Sequence, residues 1–222
     1  MEIFEKNGIV LRRRPYGDTG IIFRVLFPEQ GIVSFLAKGA RTSKSNIYAV
    51  CEPTNLIRIS WMKRETRDLY IPKRVVLCEE FIDSKENYTV FTEIASILKD
   101  VERFLPVNSS SKRIYDSLLL LFRGLEAGRD VLSGKLWFYR ELLQEAGGLP
   151  DFTHCSKCGM EDDLHILNSG AVICGNCQQA DDSIVESDRR ILKLLRSHKI
   201  EGETNLLLKT IDLLMRYRDR LI

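Results

Sequence analysis

Cys155-Ser156-Lys157-Cys158-Gly159 and Cys174-Gly175-Asn176-Cys177 are the two stretches that decide the fold of the C-terminal part of this chain. Each holds two cysteines separated by two residues, and fifteen residues lie between the pairs. This spacing is typical of tetrahedral zinc sites. Gly159 and Gly175 are expected to adopt positive φ, which turns backbone N–H groups toward the sulfurs. The sequence therefore predicts a four-cysteine zinc ribbon at about 152–180.

The segment between the two pairs has the pattern of a hairpin. Residues 164–167, which are apolar except for His165, and the apolar residues 171–173 flank Asn168-Ser169-Gly170. Four cysteine ligands close the coordination sphere, so the predicted Zn²⁺ is structural rather than catalytic. His154 and His165 lie nearby in the sequence and are interpreted as bystanders. Two alternatives stay open here: four unrelated thiols, or a metal-dependent hydrolase in which one coordination position is open.

Composition places the chain among globular proteins. It has 222 residues, of which 44% are hydrophobic and 29% charged, enough for one or two domains. The N-terminus lacks an apolar signal segment, and the longest apolar run, 118–122, is too short to span a bilayer. Metal-type cysteine spacing without a secretion signal favours a reducing, cytoplasmic setting and no membrane partner.

The net charge of +2 is unevenly distributed. Residues 1–80 contain 14 Lys and Arg against 9 Asp and Glu, a net charge of +5, whereas the remaining residues have a net charge of −3. A basic N-terminal third indicates a polyanionic partner.

The N-terminal third has the pattern of a small β-barrel. Short β-branched runs separated by turn residues predict five strands, at 7–14, 19–27, 32–37, 54–62 and 68–81. Their number and length predict an OB-type barrel domain at 1–82, with an SH3-like barrel as the alternative.

Cations and aromatic rings are interleaved along this barrel. The loop after the third strand is rich in Gly, Ser and Thr and carries Lys38, Arg41 and Lys44, a composition suited to phosphate contacts. The other cations of the region include Arg12, Arg13, Arg14, Arg24, Lys63, Arg64, Arg67, Lys73 and Arg74. Among Tyr16, Phe23, Phe35, Tyr48, Trp61 and Tyr70, most rings are expected in the core and an exposed subset is available to stack on bases.

From residue 83 the periodicity becomes helical, which predicts an α-helical domain at 83–222 that carries the ribbon. The first predicted helix has an apolar face of Tyr88, Phe91, Ile94, Ala95 and Leu98. The second begins after a cap at Ser110 or Ser111, has an apolar face of Ile114, Leu118, Leu121 and Leu125, and ends near 124–128. The third is predicted at 131–146 and the last at 205–221. The fourth is predicted after a cap at Ser187, with Ile191, Leu194 and Leu195 on its apolar face. The fourth carries a basic stripe of Arg189, Lys193 and Arg196. The fold class is thus α+β with more than one domain.

The sequence shows no catalytic constellation. It lacks the G-x-S-x-G, H-E-x-x-H and Rossmann glycine motifs. Residues 128–136 resemble a phosphate loop, but the glycine spacing is one residue too long and Leu136 stands where a Ser or Thr is needed. We therefore interpret the chain as a binding protein, not an enzyme.

Several motifs in order resemble one family, the bacterial recombination mediator RecO. They are Arg14-Pro15-Tyr16-Gly17-Asp18, the turn at Gly31, Lys38-Gly39-Ala40-Arg41-x-x-Lys44-Ser45, and Gly148-Leu149-Pro150 leading into Cys155-x-x-Cys158-Gly159. The resemblance covers essentially the whole chain. It implies an OB domain, a helical domain and a zinc module. It places DNA contacts at Lys38 and Arg41, with Lys44 and Arg14 as further candidates.

The resemblance also implies a function in the bacterial cytoplasm, at the nucleoid. Expected activities are binding of single- and double-stranded DNA and annealing of complementary strands. Expected partners are RecR, the acidic C-terminal tail of single-strand DNA-binding protein and, functionally, RecA. The alternative is an RNA-binding protein of translation or transcription with an OB domain and a zinc ribbon.

Overall fold

The computed structural model describes residues 3–62, 68–82, 86–105, 110–185, 188–197, 200 and 202–220. The chain divides into two compact units, Met1–Gly128 and Arg129–Ile222. The first contains a sheet and the helices that follow it, and the second contains further helices and a hairpin. The helices at 88–126 thus lie in the first unit, whereas the sequence ends the barrel domain at 82. That domain boundary remains a prediction.

Six strands form the sheet of the first unit, in the order β5-β3-β2-β1-β4-β6. All neighbours are antiparallel except β3 and β5, which are parallel. The strands are β1 Ile3–Tyr16, β2 Gly20–Phe27, β3 Gly31–Ala37, β4 Leu56–Met62, β5 Leu69–Tyr70 and β6 Pro72–Glu79. The fifth predicted strand is therefore two strands, which lie at opposite edges of the sheet.

The long first strand explains how the sheet curls. Its N-terminal half pairs with β4 and its C-terminal half with β2, and the register shifts between Val10 and Arg12. A bulge bends a strand and increases its twist. Because β5 pairs with β3 and β6 with β4, the two edges are joined by Ile71 alone, and β3 approaches β6. The N-terminal domain is OB-like, as predicted.

Alternation along the strands fills the barrel with large side chains. Phe23, Phe27, Phe35 and Trp61 are buried, and the Trp61 ring centroid lies 5.0 Å from Phe27 and 5.3 Å from Phe35. Gly8 is required by this packing, since a Cβ there would collide with the side chains of Val25 and Phe27. Phe23, Phe35 and Trp61 are thus core residues, not stacking surfaces.

Among the described residues, two helices follow the sheet in the first unit: α2 Tyr88–Phe104 and α3 Lys112–Glu126. The short helix α1 Ile47–Val50 lies between β3 and β4. The α3 face of Ile114, Leu118, Leu121 and Leu125 is buried as predicted. For α2 the prediction is partly wrong. Its buried apolar residues are Ile94, Ile97, Leu98 and Val101, whereas Tyr88 is 80% exposed and Phe91 47%. Ala95 is exposed as well, so only Ile94 and Leu98 of the predicted face are buried.

The second unit contains three α-helices and the hairpin among its described residues. They are α4 Val131–Glu145, α5 Asp188–Arg196, α6 Thr204–Asp219, β7 Leu164–Ile166 and β8 Val172–Cys174. Helix α4 packs against α6. The rejected phosphate loop is the start of α4, where the Asp130 carboxylate accepts from Ser133 N as a helix cap. Ser187, the predicted cap of α5, lies outside the described residues.

Within the described ranges, no helix has both the length and the apolar character needed to cross a membrane.

Candidate metal centre and nucleic-acid interface

The four predicted cysteines converge. The Sγ atoms of Cys155, Cys158, Cys174 and Cys177 all lie within 4.8 Å of one another, and those of Cys158 and Cys174 are 3.6 Å apart. A tetrahedral metal with bonds of about 2.3 Å to sulfur requires sulfur–sulfur distances of about 3.8 Å, whereas a disulfide requires about 2.05 Å. The four thiols therefore have the spacing of metal ligands. In the part of the chain that the structure describes, no other group of His, Cys, Asp or Glu meets this criterion.

Backbone turns present the sulfurs. Gly159 has φ +77° and its N–H donates to Cys155 O at 2.8 Å, which closes the first turn. Ser156 N donates to Val172 O at 2.8 Å and so ties that turn to the hairpin. The second pair lies at the end of β8 and in a 3-10 turn, Gly175–Cys177. The predicted hairpin and the predicted φ at Gly159 are both confirmed.

Gly175 has a different role from the predicted one. It does not have positive φ; instead, a Cβ at this position would collide with the Asp163 carboxylate. The Asp163 backbone carbonyl accepts from Gly175 N at 3.0 Å, and its carboxylate accepts from Arg189 Nη2 of α5 at 3.0 Å. The absent side chain thus allows Asp163 to connect the second cysteine turn to α5.

The hairpin is also fastened to the last helix. The Tyr217 hydroxyl of α6 donates to Gly170 O at 2.6 Å, and both the hydroxyl and the acceptor are buried. Gly170 has φ +85°, and a Cβ there would collide with Tyr217 and Arg220. Burial raises the pKa of Tyr217 to about 12. The metal ligands are therefore carried by a hairpin whose position depends on α6.

Crowding of the sulfurs opposes their simultaneous ionisation. Hydrogen bonds with the sulfurs of Cys158 and Cys174 raise the pKa of Cys177 to about 12. At Cys155, desolvation acts to raise the pKa, but hydrogen bonds with the backbone of Cys174 and Cys158 outweigh it and lower the pKa to about 6. A divalent cation would supply the charge that lets all four thiols ionise, so the donor set fits Zn²⁺.

Both nearby histidines make contacts with carboxylates. His154 Nδ1 is 2.7 Å from Asp151 Oδ2, and its Nε2 is 3.1 Å from Glu161 Oε1. His165 Nε2 is 3.4 Å from Asp163 Oδ1. The structure places neither imidazole among the four sulfurs.

The predicted DNA-binding residues lie at one end of the barrel. Arg14 is near the end of β1 and pairs with Ile22, while Lys38 directly follows β3. Lys44 lies in the loop that follows. All three side chains are exposed, and none makes an ion pair with another residue that the structure describes. The barrel scaffold therefore presents at its end three exposed cations that are unpaired among the described residues.

Arg41, the fourth candidate, partly supports this end of the barrel. Its Nη2 donates to Gly17 O at 2.6 Å and to Asp18 O at 2.8 Å, and its backbone N–H donates to Thr19 O at 2.8 Å. Arg41 thus holds the β1–β2 turn against the loop that carries Lys38 and Lys44, while its side chain remains exposed and adds to the charge.

Three other cations of the barrel, Arg12, Arg13 and Arg24, have partners within the first unit, whereas Lys73 and Arg74 of β6 are exposed and form no ion pair with a residue that the structure describes. Arg13 contacts the Glu52 carboxylate and the Tyr48 carbonyl, with its guanidinium 3.7 Å from the Tyr48 ring centroid. Arg12 and Arg24 both lie near Glu102, at 3.3 and 3.5 Å. Two carboxylates thus offset part of the charge of these three arginines, so net charge along the sequence overstates the basic surface. Lys63, Arg64 and Arg67 lie outside the described residues.

The basic stripe of α5 is partly used for structure. Arg189 pairs with Asp163, and Arg196 Nε donates to Phe152 O at 2.7 Å, while Lys193 is exposed. The three residues border one open groove of about 590 Å³. Nucleic-acid contact at this groove remains a prediction.

Comparison with known proteins agrees with this architecture. The family model described as "Recombination protein O N terminal" matches residues 1–81, and the one described as "Recombination protein O C terminal" matches residues 87–212. The chain belongs to the RecO family.

Similar proteins include DNA repair protein RecO of Thermodesulfovibrio yellowstonii, 27% identical over 182 residues, or 80% of this chain and 71% of that protein. DNA repair protein RecO of Caldicellulosiruptor saccharolyticus is 26% identical over 223 residues, or 95% of this chain and 91% of that protein. DNA repair protein RecO of Streptomyces griseus is 27% identical over 192 residues, or 80% and 75% of the two chains.

In this RecO-family chain, sequence reasoning missed the residues that position the sites. Glu52 and Glu102 balance barrel cations, Asp163 joins a cysteine turn to α5, and Tyr217 holds the hairpin. Each pairs with a residue 26 or more positions away, so local spacing carries no signal for it. For the Tyr217 contact, the sequence offers one indirect signal, Gly170. A glycine in a turn indicates positive φ or the close approach of another group.

Proposed function

We propose that this RecO-family chain is a non-enzymatic DNA repair recombination mediator. It binds single- and double-stranded DNA, anneals complementary strands and, with RecR, helps load RecA onto DNA coated by single-strand DNA-binding protein. The observation that carries the proposal is the barrel end, where Lys38, Lys44 and Arg14 are exposed and unpaired among the described residues. The relatives named above are DNA repair proteins.

These cations would bind phosphates without reading sequence. Lysine and arginine near a nucleic-acid backbone release its condensed counterions, so affinity falls steeply as salt increases. Arg41 keeps the loop near the β1–β2 turn, and the backbone N–H groups of Arg41, Thr42 and Ser45 already donate to backbone carbonyls, so the loop offers phosphates mainly its cationic side chains. A surface of this kind binds any sequence, as a mediator acting on arbitrary lesions requires.

Annealing and loading would follow from holding strands together. Two strands bound on linked surfaces meet at a raised effective concentration, which speeds pairing without any chemical step. We propose that RecR and the acidic tail of single-strand DNA-binding protein act as docking partners that bring this activity to coated DNA. The reaction takes place in the bacterial cytoplasm, at the nucleoid.

Zn²⁺ is the metal we propose for the four cysteines, with a structural role. Four thiolates leave no coordination position for water or substrate. Bound metal would fix both cysteine turns relative to β7 and β8, and Asp163 and Tyr217 would pass that constraint to α5 and α6.

The test replaces two free lysines, Lys38→Ala with Lys44→Ala, and measures binding of fluorescent oligothymidylate by anisotropy against salt. Removing two phosphate contacts should lower the slope of log affinity against log salt by about 1.4 for a single strand. Annealing of complementary oligonucleotides and RecA loading on coated DNA, with RecR present, should slow in parallel.

A matched control removes the same charge elsewhere. Lys6→Ala with Lys112→Ala changes two cations near Glu29, at the turn before β3. Seven residues of β3, about 23 Å, separate that turn from Lys38. The control should bind like wild type. Equal salt slopes for the two double variants would contradict the placement, and a preference for competing RNA over single-stranded DNA would favour an RNA-binding function.

A further inference from the structure

The six aromatic residues interleaved with the barrel cations have very different surroundings. Phe23, Phe35 and Trp61 are in the core. Tyr70 is half-buried, with its ring centroid 6.3 Å from that of Phe35. Tyr48 is 40% exposed, but the Arg13 guanidinium lies over its ring at 3.7 Å. Tyr16, the remaining ring, is 53% exposed.

Tyr16 lies at the same barrel end as the free lysines. It is the last residue of β1 and pairs with Gly20, the first residue of β2. A Cβ at Gly20 would lie 3.7 Å from the Tyr16 ring and 3.4 Å from Ala37 O, and Lys38 follows Ala37 directly. The strand register thus places Tyr16, at the end of β1, and Lys38, directly after β3, on either side of the start of β2.

The segment after Tyr16 is held rather than left loose. Gly17 and Asp18 form the turn whose carbonyls both accept from Arg41 Nη2. The ring is therefore presented by a turn that is anchored to the cationic loop. An exposed ring on such a support loses little freedom when a flat ligand covers it.

We propose that Tyr16 is a stacking surface for a base of single-stranded nucleic acid whose phosphates lie on Lys38 and Lys44. This inference rests on the proposed function and adds a base contact to it. Aromatic rings beside a cationic groove are the usual means of binding single strands without sequence preference, because every base has a π-face. In a duplex the bases are already stacked on one another, so Tyr16 confers a preference for single strands that the lysines alone do not provide.

The experiment compares Tyr16→Ala with wild type on two labelled strands of equal length: oligothymidylate, and an abasic strand with the same phosphates and no bases. On oligothymidylate, Tyr16→Ala should bind about 5- to 150-fold more weakly. On the abasic strand the two proteins should bind equally, and the salt slope should not change. Tyr16→Trp should bind oligothymidylate at least as tightly as wild type.

Tyr88→Ala is the matched control, since Tyr88 is an 80% exposed tyrosine of the same unit on α2. It should bind both strands like wild type. Equal binding of oligothymidylate by Tyr16→Ala and wild type overturns the inference. So does an equal loss on both strands, which would show that Tyr16 supports phosphate contacts only. If wild type binds neither strand, the proposed function itself fails, which is a separate outcome.

Discussion

The barrel of the first unit and the ribbon of the second are stabilised in opposite ways. The barrel surrounds buried rings such as Phe27, Phe35 and Trp61, and its cations lie outside that core, on strands and loops. The ribbon has two strands of three residues each. Metal coordination by its four cysteines would stabilise it.

In the first unit, the cations proposed to bind DNA are not the residues that stabilise the fold. In the second unit, the proposed metal ligands themselves stabilise the fold. Removing a barrel-end lysine should change binding and leave the fold intact, because the apolar core does not depend on it. Removing a ribbon cysteine should change the local fold, because the two cysteine turns depend on the metal that would join them. Three further experiments test this comparison. Each uses separate measurements for the first and the second unit.

The largest effect is expected from Cys174→Ser. Loss of one thiolate from a structural site removes much of the roughly 10–16 kcal/mol by which zinc binding drives folding in small metal modules. Bound zinc should fall from about one per chain to none, measured by metal analysis. Unfolding followed by Trp61 alone, in a Trp137→Phe background, should be unchanged.

Cys78→Ser provides the control, because Cys78 is an exposed thiol outside the cluster. It should keep its zinc. If the unfolding transition followed by Trp61 moves to lower denaturant concentration when the Cys174 variant loses its zinc, the stability of the barrel depends on the metal. That result would contradict the proposed difference between the two units.

A smaller effect in the opposite unit is expected from Gly8→Ala. The added methyl collides with Val25 and Phe27, and overpacking of a core costs about 1–3 kcal/mol. The Trp61 transition should move to lower denaturant concentration, whereas zinc content should stay constant.

Glu5→Ala, on the exposed side of the same strand, should change the free energy of unfolding by no more than about 0.5 kcal/mol. If Gly8→Ala behaves like Glu5→Ala, the close packing at β1 is not what stabilises the barrel.

The smallest effect is expected from Tyr217→Phe. It leaves the buried Gly170 carbonyl without its donor, at a cost of about 1–2 kcal/mol to the second unit. Because the pKa of Tyr217 is raised to about 12 in the folded state, its neutral form stabilises the fold below pH 10. That stabilisation is lost as the pH rises from about 10 toward 12.

Chemical denaturation of zinc-loaded protein, followed by Trp137 fluorescence in a Trp61→Phe background, measures this difference. The gap between wild type and Tyr217→Phe should shrink above pH 10. Tyr88→Phe, which removes an exposed hydroxyl, should match wild type throughout. A gap that is constant with pH would contradict a buried, neutral tyrosine.

Much of the local structure could be predicted because it depends on short spacings. Two residues between cysteines suffice to bring their sulfurs together, and apolar runs bounded by turn residues suffice to mark β2 and β3. The α3 face followed from helical periodicity in the same way. Predictions failed where a neighbour decides: Tyr88 and Phe91 continue the apolar face of α2, yet the packed part of that helix starts at Ile94.

The sequence alone determined the barrel-then-helices order, the four-cysteine cluster and the resemblance to the RecO family. Only the tertiary structure decided which cations are free. Arg12, Arg13 and Arg24 meet carboxylates at positions 52 and 102, and Arg41 is bound to the β1–β2 turn, while Lys38, Lys44 and Arg14 keep their charge exposed. The reason is physical: backbone sterics and periodicity act over a few residues, whereas charge pairing depends on strand order, which brings together residues that are far apart in the chain.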